Sequence, residues 1–192
     1  MGLRDVLLGR KQLKDPAGER LFAISTARIT LETELDLRST GAAGVCFKAL
    51  SAGEFVRAEN ELQQLLDAVA VESGSKLERH TDEFGFEWLV VRDGDFEDLV
   101  TTVHLVASEL ESRGFGPQLL AAVFPFERKG FDGGRVYWIY GFKRGAFWPF
   151  VPKGEGKERD NAEELELKAK LEGELPVEQD LSRWFAVFDA PV

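Results

Sequence analysis

The 192-residue sequence has little of what disulfide and metal sites need, since it contains one cysteine, Cys46, and two histidines, His80 and His104. A single cysteine excludes a disulfide within the chain, and so few soft ligands disfavour a structural zinc site. We therefore expect Cys46 to be a buried structural thiol. We also expect the protein to use no metal and no cofactor.

Long apolar runs are missing as well. No run approaches the roughly 18 residues of a membrane span, and the start, MGLRDVLLGRKQLK, has an apolar run of only four residues. A secretory signal needs about seven or more. With 44% hydrophobic and 30% charged residues, the composition is typical of a soluble globular protein. The sequence thus predicts a cytoplasmic protein.

Motifs for nucleotide and hydrolytic chemistry are absent. The sequence has no G-x-x-x-x-G-K-[ST] phosphate loop, no H-E-x-x-H pair and no G-x-S-x-G turn. The net charge of −10 works against general binding to nucleic acid, because phosphates must be neutralised by cations. We expect no nucleic acid partner.

The charge is unevenly distributed. Residues 1–14 carry a net +3, whereas residues 155–180 hold ten carboxylates and four cations. The first segment has the i, i+3, i+4 spacing of a short amphipathic helix. Its apolar positions are Leu3, Val6 and Leu7, and its cations are Arg4, Arg10 and Lys11. This helix either docks on its own domain or contacts a membrane surface or a partner.

Periodicity predicts an α+β fold in the order β-α-β-β-α-β-β-β-α, with an antiparallel sheet of about five to six strands flanked by helices. Residues 1–40 are predicted to be the amphipathic helix and an irregular lead-in with one helix turn and one edge strand. Residues 41–192 are predicted to be a single α+β domain with an acidic C-terminal helix and an apolar tail.

The predicted elements follow local signals for turns and caps. The first elements are a strand at 44–50 and a helix at 51–72 behind the Ser51-Glu54 capping box, followed by a hairpin of 76–81 with 86–91 that turns at Gly85. Next come a helix capped by Asp95 and ended by Gly114, and a strand at 119–126. The last elements are a hairpin of 136–143 with 146–151 and a helix from Asp160 to before Pro176. The last helix contains the i, i+4 pairs Glu164-Lys168 and Glu166-Lys170.

The stretch YGFKRGAFWPFVPKG, residues 140–154, carries aromatic side chains on both faces of its hairpin. Both faces must be largely covered, because an exposed two-sided aromatic ribbon would aggregate. Pro149 cannot donate a hydrogen bond to a neighbouring strand, which predicts a sheet edge with a groove beside it. The candidate partner contacts at this edge are Phe147, Trp148 and Phe150, with Lys143 and Arg144 pairing with acidic residues of a coiled coil.

Two other hypotheses remain open. In the first, an enzyme of unknown reaction binds a small ligand at the start of the last helix, through Arg159, Asp160 and Asn161, with His104 as the base. In the second, the terminal segments dock on another copy and form a homodimer. The aromatic end, with Trp184, Phe185 and Phe188, either packs back on the domain or binds a partner.

Several stretches, taken in order, resemble one family. They are GAAGVCFKAL, DEFGFEWLVV, RGFGPQLLAAVF, YGFKRGAFWPFVP, RDNAEELEL and ELPVEQDLSRWF, behind an MGLRDVLLGRK start. This ordered set is similar to the PspA-associated protein PspAB family of actinobacteria and some archaea, over nearly the whole chain.

The resemblance implies association with PspA, the coiled-coil protein of the membrane-stress response, and it implies no catalytic residues. The element order also resembles the type III secretion chaperone and YbjN-like folds, whose members commonly bind extended or helical partner segments. The expected function is therefore a non-enzymatic adaptor or chaperone-like accessory factor in envelope stress. We expect it in the cytoplasm, with peripheral contact at the inner face of the membrane through residues 1–14.

Overall fold

The computed structural model describes residues 18–48, 64, 67–69, 71, 73–128, 134–154 and 156–192. The α-helices that are described over their whole length are α1 (Ala23–Thr33), α2 (Phe96–Ser112) and α3 (Asn161–Leu171). The strands are β1 (Leu37–Ser39), β2 (Ala42–Lys48), β3 (Lys76–Thr81), β4 (Phe86–Arg92), β5 (Leu119–Arg128), β6 (Arg135–Gly141), β7 (Ala146–Phe150), β8 (Pro152–Lys153) and β9 (Glu158–Arg159). The predicted α+β class is confirmed.

A seven-stranded sheet forms the centre, in the order β3-β4-β2-β5-β6-β7 with β1 paired to β5. All its strand pairs are antiparallel. β5 is long enough to pair on one side with β2 through its first half and with β1 through its last three residues. The predicted strands and both hairpins are confirmed.

Strand alternation gives the sheet two different faces. On the helix face, Phe96 of α2 contacts the rings of Phe124 and Phe126 on β5. The opposite face, which we call the tail face, carries Cys46 in register with Trp88 on β4 and with Ala121 on β5. Residues of β6 and β7 on the tail face follow from the same register and include Tyr137, Ile139, Trp148 and Phe150.

Helix α2 has the predicted start and end. The Asp95 carboxylate accepts hydrogen bonds from the backbone N–H groups of Glu97 at 2.8 Å and Asp98 at 3.2 Å. Gly114 has φ +90°, a left-handed conformation that favours glycine after a helix. One apolar face of this helix lies buried, with Phe96, Leu99, Val103, Val106 and Leu110 in the core.

The predicted irregular lead-in does not describe residues 23–33, which form the 11-residue helix α1. Ile24, Ala27 and Leu31 lie fully buried in the core, at the i, i+3, i+7 spacing of one helix face. The helix has no side-chain hydrogen bond at its N-cap, so the strongest local sign of a helix start is missing. The edge strand predicted in this region is β1.

The predicted helix at 51–72 lies mostly outside the described residues, and its described positions are helical. In α3, Asp160 caps the helix by accepting from the Glu163 N–H at 3.1 Å, and the Glu166-Lys170 pair forms at 3.0 Å. The prediction of a Glu164-Lys168 ion pair is wrong. Glu164 is buried and pairs with Arg159 instead, because β9 brings Arg159 against the first turn of α3.

Candidate partner-binding site

The predicted groove at the β7 edge is closed by the chain itself. The Phe147 N–H donates to the Pro176 carbonyl at 2.8 Å, and the Glu178 N–H donates to the Phe147 carbonyl at 2.8 Å. Phe147 and Phe150 are 0% exposed and Trp148 is 2% exposed. The three aromatic residues therefore lie in the core and do not line an accessible groove. Phe147 packs on Tyr140, Trp148 on Phe185 and Phe150 on Phe188, while residues 176–178 hydrogen-bond to the outer edge of β7 at Phe147.

The two cations predicted beside this edge are accessible. Lys143 and Arg144 are exposed in the β6–β7 turn, and the Arg144 Nε lies 3.6 Å from the Glu178 carboxylate. Gly141, just before this turn, pairs with Ala121, which in turn pairs with Cys46. The turn therefore lies at the same end of the sheet as the β3–β4 turn.

Residues 184–192, which we call the C-terminal tail, cross the tail face. The Trp148 Nε1–H donates to the Phe185 carbonyl at 3.1 Å. The Phe185 ring packs on Trp148 with centroids 4.6 Å apart, and the Phe188 ring packs edge-on against Phe150 at 4.9 Å. Of the two roles left open for the aromatic end, the structure shows packing on the domain.

Both ends of the tail are fixed by hydrogen bonds. Arg159 Nη1 donates to the Trp184 carbonyl at 2.8 Å, and Trp184 Nε1 donates to the Glu178 carbonyl at 3.0 Å. At the other end, Arg135 Nη1 donates to the Val192 carbonyl at 3.0 Å. A Cβ atom on Gly44 would lie 2.8 Å from the Val192 side chain, so the glycine allows the tail to approach the sheet closely.

An apolar cavity of about 500 Å³ remains between the tail and the sheet, and we call it the tail cavity. Its opening is flanked by two accessible aromatic rings, Phe84 at 64% and Phe185 at 48% exposed. Strand residues form its floor, and the tail forms its other wall. The lining residues are Cys46, Lys48, Asp82, Phe84, Phe86, Trp88, Leu120, Ala121, Lys157 and residues 185–190.

Lys157 joins the two sides of the cavity opening. Its Nζ lies 3.2 Å from the Asp189 carboxylate on the tail and 3.5 Å from Glu83 in the β3–β4 turn. The same ammonium lies 5.4 Å from the centre of the Phe84 ring, within the range of a cation–π contact. The hydrogen bond to Asp189 and the charge of that carboxylate raise the pKa of Lys157.

The thiol of Cys46 lies in the floor of the tail cavity. Burial, with a smaller effect of the Asp82 charge, raises the pKa of Cys46 from 9.0 to about 12. The thiol is therefore protonated at neutral pH, and a protonated thiol is a poor nucleophile. The prediction that Cys46 is buried is confirmed.

The structure does not assemble the predicted small-ligand site. Asp160 caps α3, and the Arg159 guanidinium is engaged by the Glu164 carboxylate and the Trp184 carbonyl. A hollow beside Arg159 and Asn161 is lined also by Glu164, Leu165, Leu181 and Trp184. His104 is not part of it.

His104 lies on α2, half-buried, where its ring packs on Phe22 with centroids 4.8 Å apart. Its Nε2 lies 3.4 Å from the Ser108 hydroxyl. The grouping of His104 with Asp160 is thus a wrong prediction, because the two side chains belong to separate clusters on different helices.

Two features of the described ranges bear on other classes of function. No group of three or more histidine, cysteine or acidic side chains is arranged to hold a metal ion among these residues. None of the described helices combines the length and the apolar character needed to cross a membrane. The predicted membrane or partner contacts in residues 3–11 lie outside the described residues.

The model of the family PspAB, PspA associated protein B, matches residues 1–192, the whole chain. The chain belongs to this family. The family name implies association with PspA, a protein partner, and is consistent with a PspA-linked accessory role. Searches of curated proteins and of solved structures find no significant match to this PspAB protein.

The tail cavity of this PspAB protein was not predicted. Phe84 was interpreted only as part of a turn, and the aromatic end was considered without the sheet face that it covers. One signal was available. The sequence WFAVFD, residues 184–189, places two phenylalanines three positions apart and follows them with a carboxylate, a high density of aromatic residues in one short segment.

Proposed function

We propose that this PspAB protein is a non-catalytic accessory factor that binds PspA in the cytoplasm through the tail cavity. The observation that supports this function is an apolar cavity of about 500 Å³ whose opening is flanked by exposed phenylalanine rings. A partly open cavity with apolar walls suits apolar side chains of a protein partner.

The exposed ring of Phe84 is the first anchor of this contact. Full burial of a phenylalanine side chain contributes about 1.5–3 kcal/mol, so a partner that covers Phe84 gains a useful part of its binding energy. Lys143 and Arg144 lie exposed at the same end of the sheet. They supply positive charge that would steer an acidic partner segment toward the cavity.

The polar groups around the cavity favour binding over chemistry. Cys46 is held as a neutral thiol, the Asp82 carboxylate accepts from Trp88 Nε1–H at 2.9 Å, and Lys157 is paired with two carboxylates. Each of these groups is neutral or engaged in a contact. The site therefore supplies apolar surface and fixed charges to a partner, without a prepared nucleophile or base.

The variant Phe84→Ser tests this contact directly. We expect the Kd for PspA to rise by about tenfold, because loss of an aromatic anchor typically costs more than 1 kcal/mol. The matched control is Ile29→Ser on α1, an equally accessible apolar residue at 70% exposed, which should leave the Kd unchanged. Affinity can be measured by microscale thermophoresis with labelled PspA.

Two results would contradict the proposal. If the wild-type protein shows no affinity for PspA at low and at physiological salt, direct binding is wrong. If both variants weaken binding equally, or neither does, the tail cavity is not the contact site.

Residues 1–14 support a second proposal, which rests on sequence alone: their amphipathic pattern binds the anionic inner face of the membrane. We expect the full chain to co-sediment with vesicles containing phosphatidylglycerol, and we expect this binding to fall as salt rises. A triple variant with alanine in place of Arg4, Arg10 and Lys11 should lose this membrane binding. Leu3, Val6 and Leu7 are left in place.

A matched variant controls for the loss of net charge. It replaces three exposed cations of the domain by alanine, at Arg38, Lys76 and Lys153, and should sediment like the wild type. Equal loss of sedimentation in both variants would show that the segment has no special role.

A further inference from the structure

We propose that residues 185–189 of the tail are a resident substitute for the PspA segment, and that PspA displaces them when it binds. The inference rests on the proposed function and adds the residue pattern of the PspA segment that the protein recognises. That segment presents two aromatic residues three positions apart, followed directly by a carboxylate.

The tail shows which contacts this pattern makes. Phe185 packs on Trp148, Phe188 packs on Phe150, and Asp189 pairs with Lys157. Two aromatic contacts and one cation, read in a fixed order, define a recognition surface for a short peptide. A partner segment with the same pattern would find the same three contacts.

The tail fills this surface incompletely. Phe185 is half-exposed, and Ala186 and Val187 line the tail cavity, which keeps about 500 Å³ of space. Covering the apolar lining of this cavity removes it from water, which is favourable. A partner segment with larger apolar side chains at the two positions between its aromatic residues would fill this space and therefore bind better than the tail.

The hydrogen bonds place a boundary between the fixed and the displaceable parts. Trp184 is buried, and its ring and carbonyl are both hydrogen-bonded to the domain. In the described part of the chain, residues 185–192 pair with no strand of the sheet. Displacement after Trp184 therefore costs no strand pairing, although it breaks the side-chain contacts of Trp148 with the Phe185 carbonyl, of Arg135 with the Val192 carbonyl and of Lys157 with Asp189.

Lys157 is the contact that a competitor must replace. It holds Asp189 at 3.2 Å while it also touches Glu83 and the Phe84 ring of the opposite turn. The Lys157 side chain is itself well exposed. A carboxylate of the partner can take over its ammonium from Asp189 without any rearrangement of the core.

The test uses a labelled nonapeptide with the sequence of residues 184–192, WFAVFDAPV, as the probe. The wild-type tail occupies the site, so the fraction of free sites limits binding of the probe. We expect the full-length double variant Phe185→Ser with Phe188→Ser to bind the probe at least about tenfold more tightly than the wild type. Fluorescence anisotropy gives both affinities, and a probe with the same two serines should bind neither protein.

A milder variant guards against misfolding of the first. Asp189→Ala releases the tail from Lys157, leaves this cation free for the carboxylate of the probe and changes no core residue, so we expect it to bind the probe about threefold more tightly than the wild type. Circular dichroism shows whether each variant is folded. If neither folded variant binds the probe better than the wild type, the inference is overturned.

PspA provides the second arm of the experiment. We expect PspA to bind Asp189→Ala more tightly than the wild type, and to displace the probe from the double variant. Displacement of the probe supports the inference. A probe that binds the double variant but is not displaced by PspA overturns PspA as the competitor, whereas failure of the Phe84→Ser test overturns the contact site itself.

Discussion

Trp148→Ala should lower the free energy of unfolding by about 3–5 kcal/mol, the usual cost of removing a large aromatic side chain from a core. The tail packs directly on the Trp148 side chain. Its ring packs on Phe185, its Nε1–H bonds the Phe185 carbonyl, and it approaches Gly141 so closely that a Cβ there would lie 2.9 Å away. The alanine variant loses all three contacts and leaves a cavity.

Urea unfolding followed by circular dichroism measures this effect. Trp148→Phe is the matched variant, since it keeps most of the apolar volume and loses the N–H donor, and it should cost clearly less than alanine. The control Phe84→Ala, at an exposed ring, should stay within about 0.5 kcal/mol of the wild type. A cost below about 1 kcal/mol for Trp148→Ala would show that the tail does not depend on this ring.

The expected size of this effect also changes how Trp148 can be used as a probe. A pull-down with Trp148→Ala would combine loss of a contact with loss of stability and release of the tail. Phe84 is the better position for a binding test because it lies at the opening of the cavity and most of its surface is exposed.

Arg159→Leu should also destabilise the fold by about 3–5 kcal/mol, because it leaves the buried Glu164 carboxylate without its cation. Glu164 is 2% exposed. Its oxygens accept from Arg159 Nε at 3.0 Å and from the Val151 N–H at 3.0 Å. The same guanidinium holds the Trp184 carbonyl, so the substitution also frees the start of the tail.

The double variant Arg159→Leu with Glu164→Leu separates these causes. It removes both charges, and we expect it to recover much of the stability lost in the single variant. Lys170→Leu is the surface control. It breaks the exposed Glu166-Lys170 pair and should cost at most about 0.5 kcal/mol. Equal melting curves for the single variant and the wild type would show that the Glu164 charge needs no partner.

Most of the strands and the predicted helix starts at Asp95 and Asp160 could be read from the sequence because their signals are local. Asp95 and Asp160 cap their helices through contacts two or three residues away, and Gly85 and Gly114 take positive φ angles that their own turns require. Such features depend on neighbours along the chain. Spacing alone therefore predicts them.

The site depended on contacts between residues far apart in the sequence. Trp148 bonds Phe185 across 37 positions, and Arg159 bonds Trp184 across 25. Nothing in the sequence around Trp148 indicates that residues 176–178 close the β7 edge or that the tail covers the tail face of the sheet. The prediction that both faces of this hairpin are largely covered is confirmed, whereas the predicted groove beside Phe147, Trp148 and Phe150 is wrong because these side chains are buried.

The closure of β7 by residues 176–178 limits how copies of this protein can join through their sheets. An endless ribbon of sheets needs two open edges on each copy, so that every molecule can receive one neighbour and offer an edge to the next. Here one edge is already hydrogen-bonded to the chain itself. Of the two strands that end the order β3-β4-β2-β5-β6-β7 in the described part of the chain, β3 is the one left for edge-to-edge pairing, and two copies that meet through β3 use this edge in both molecules.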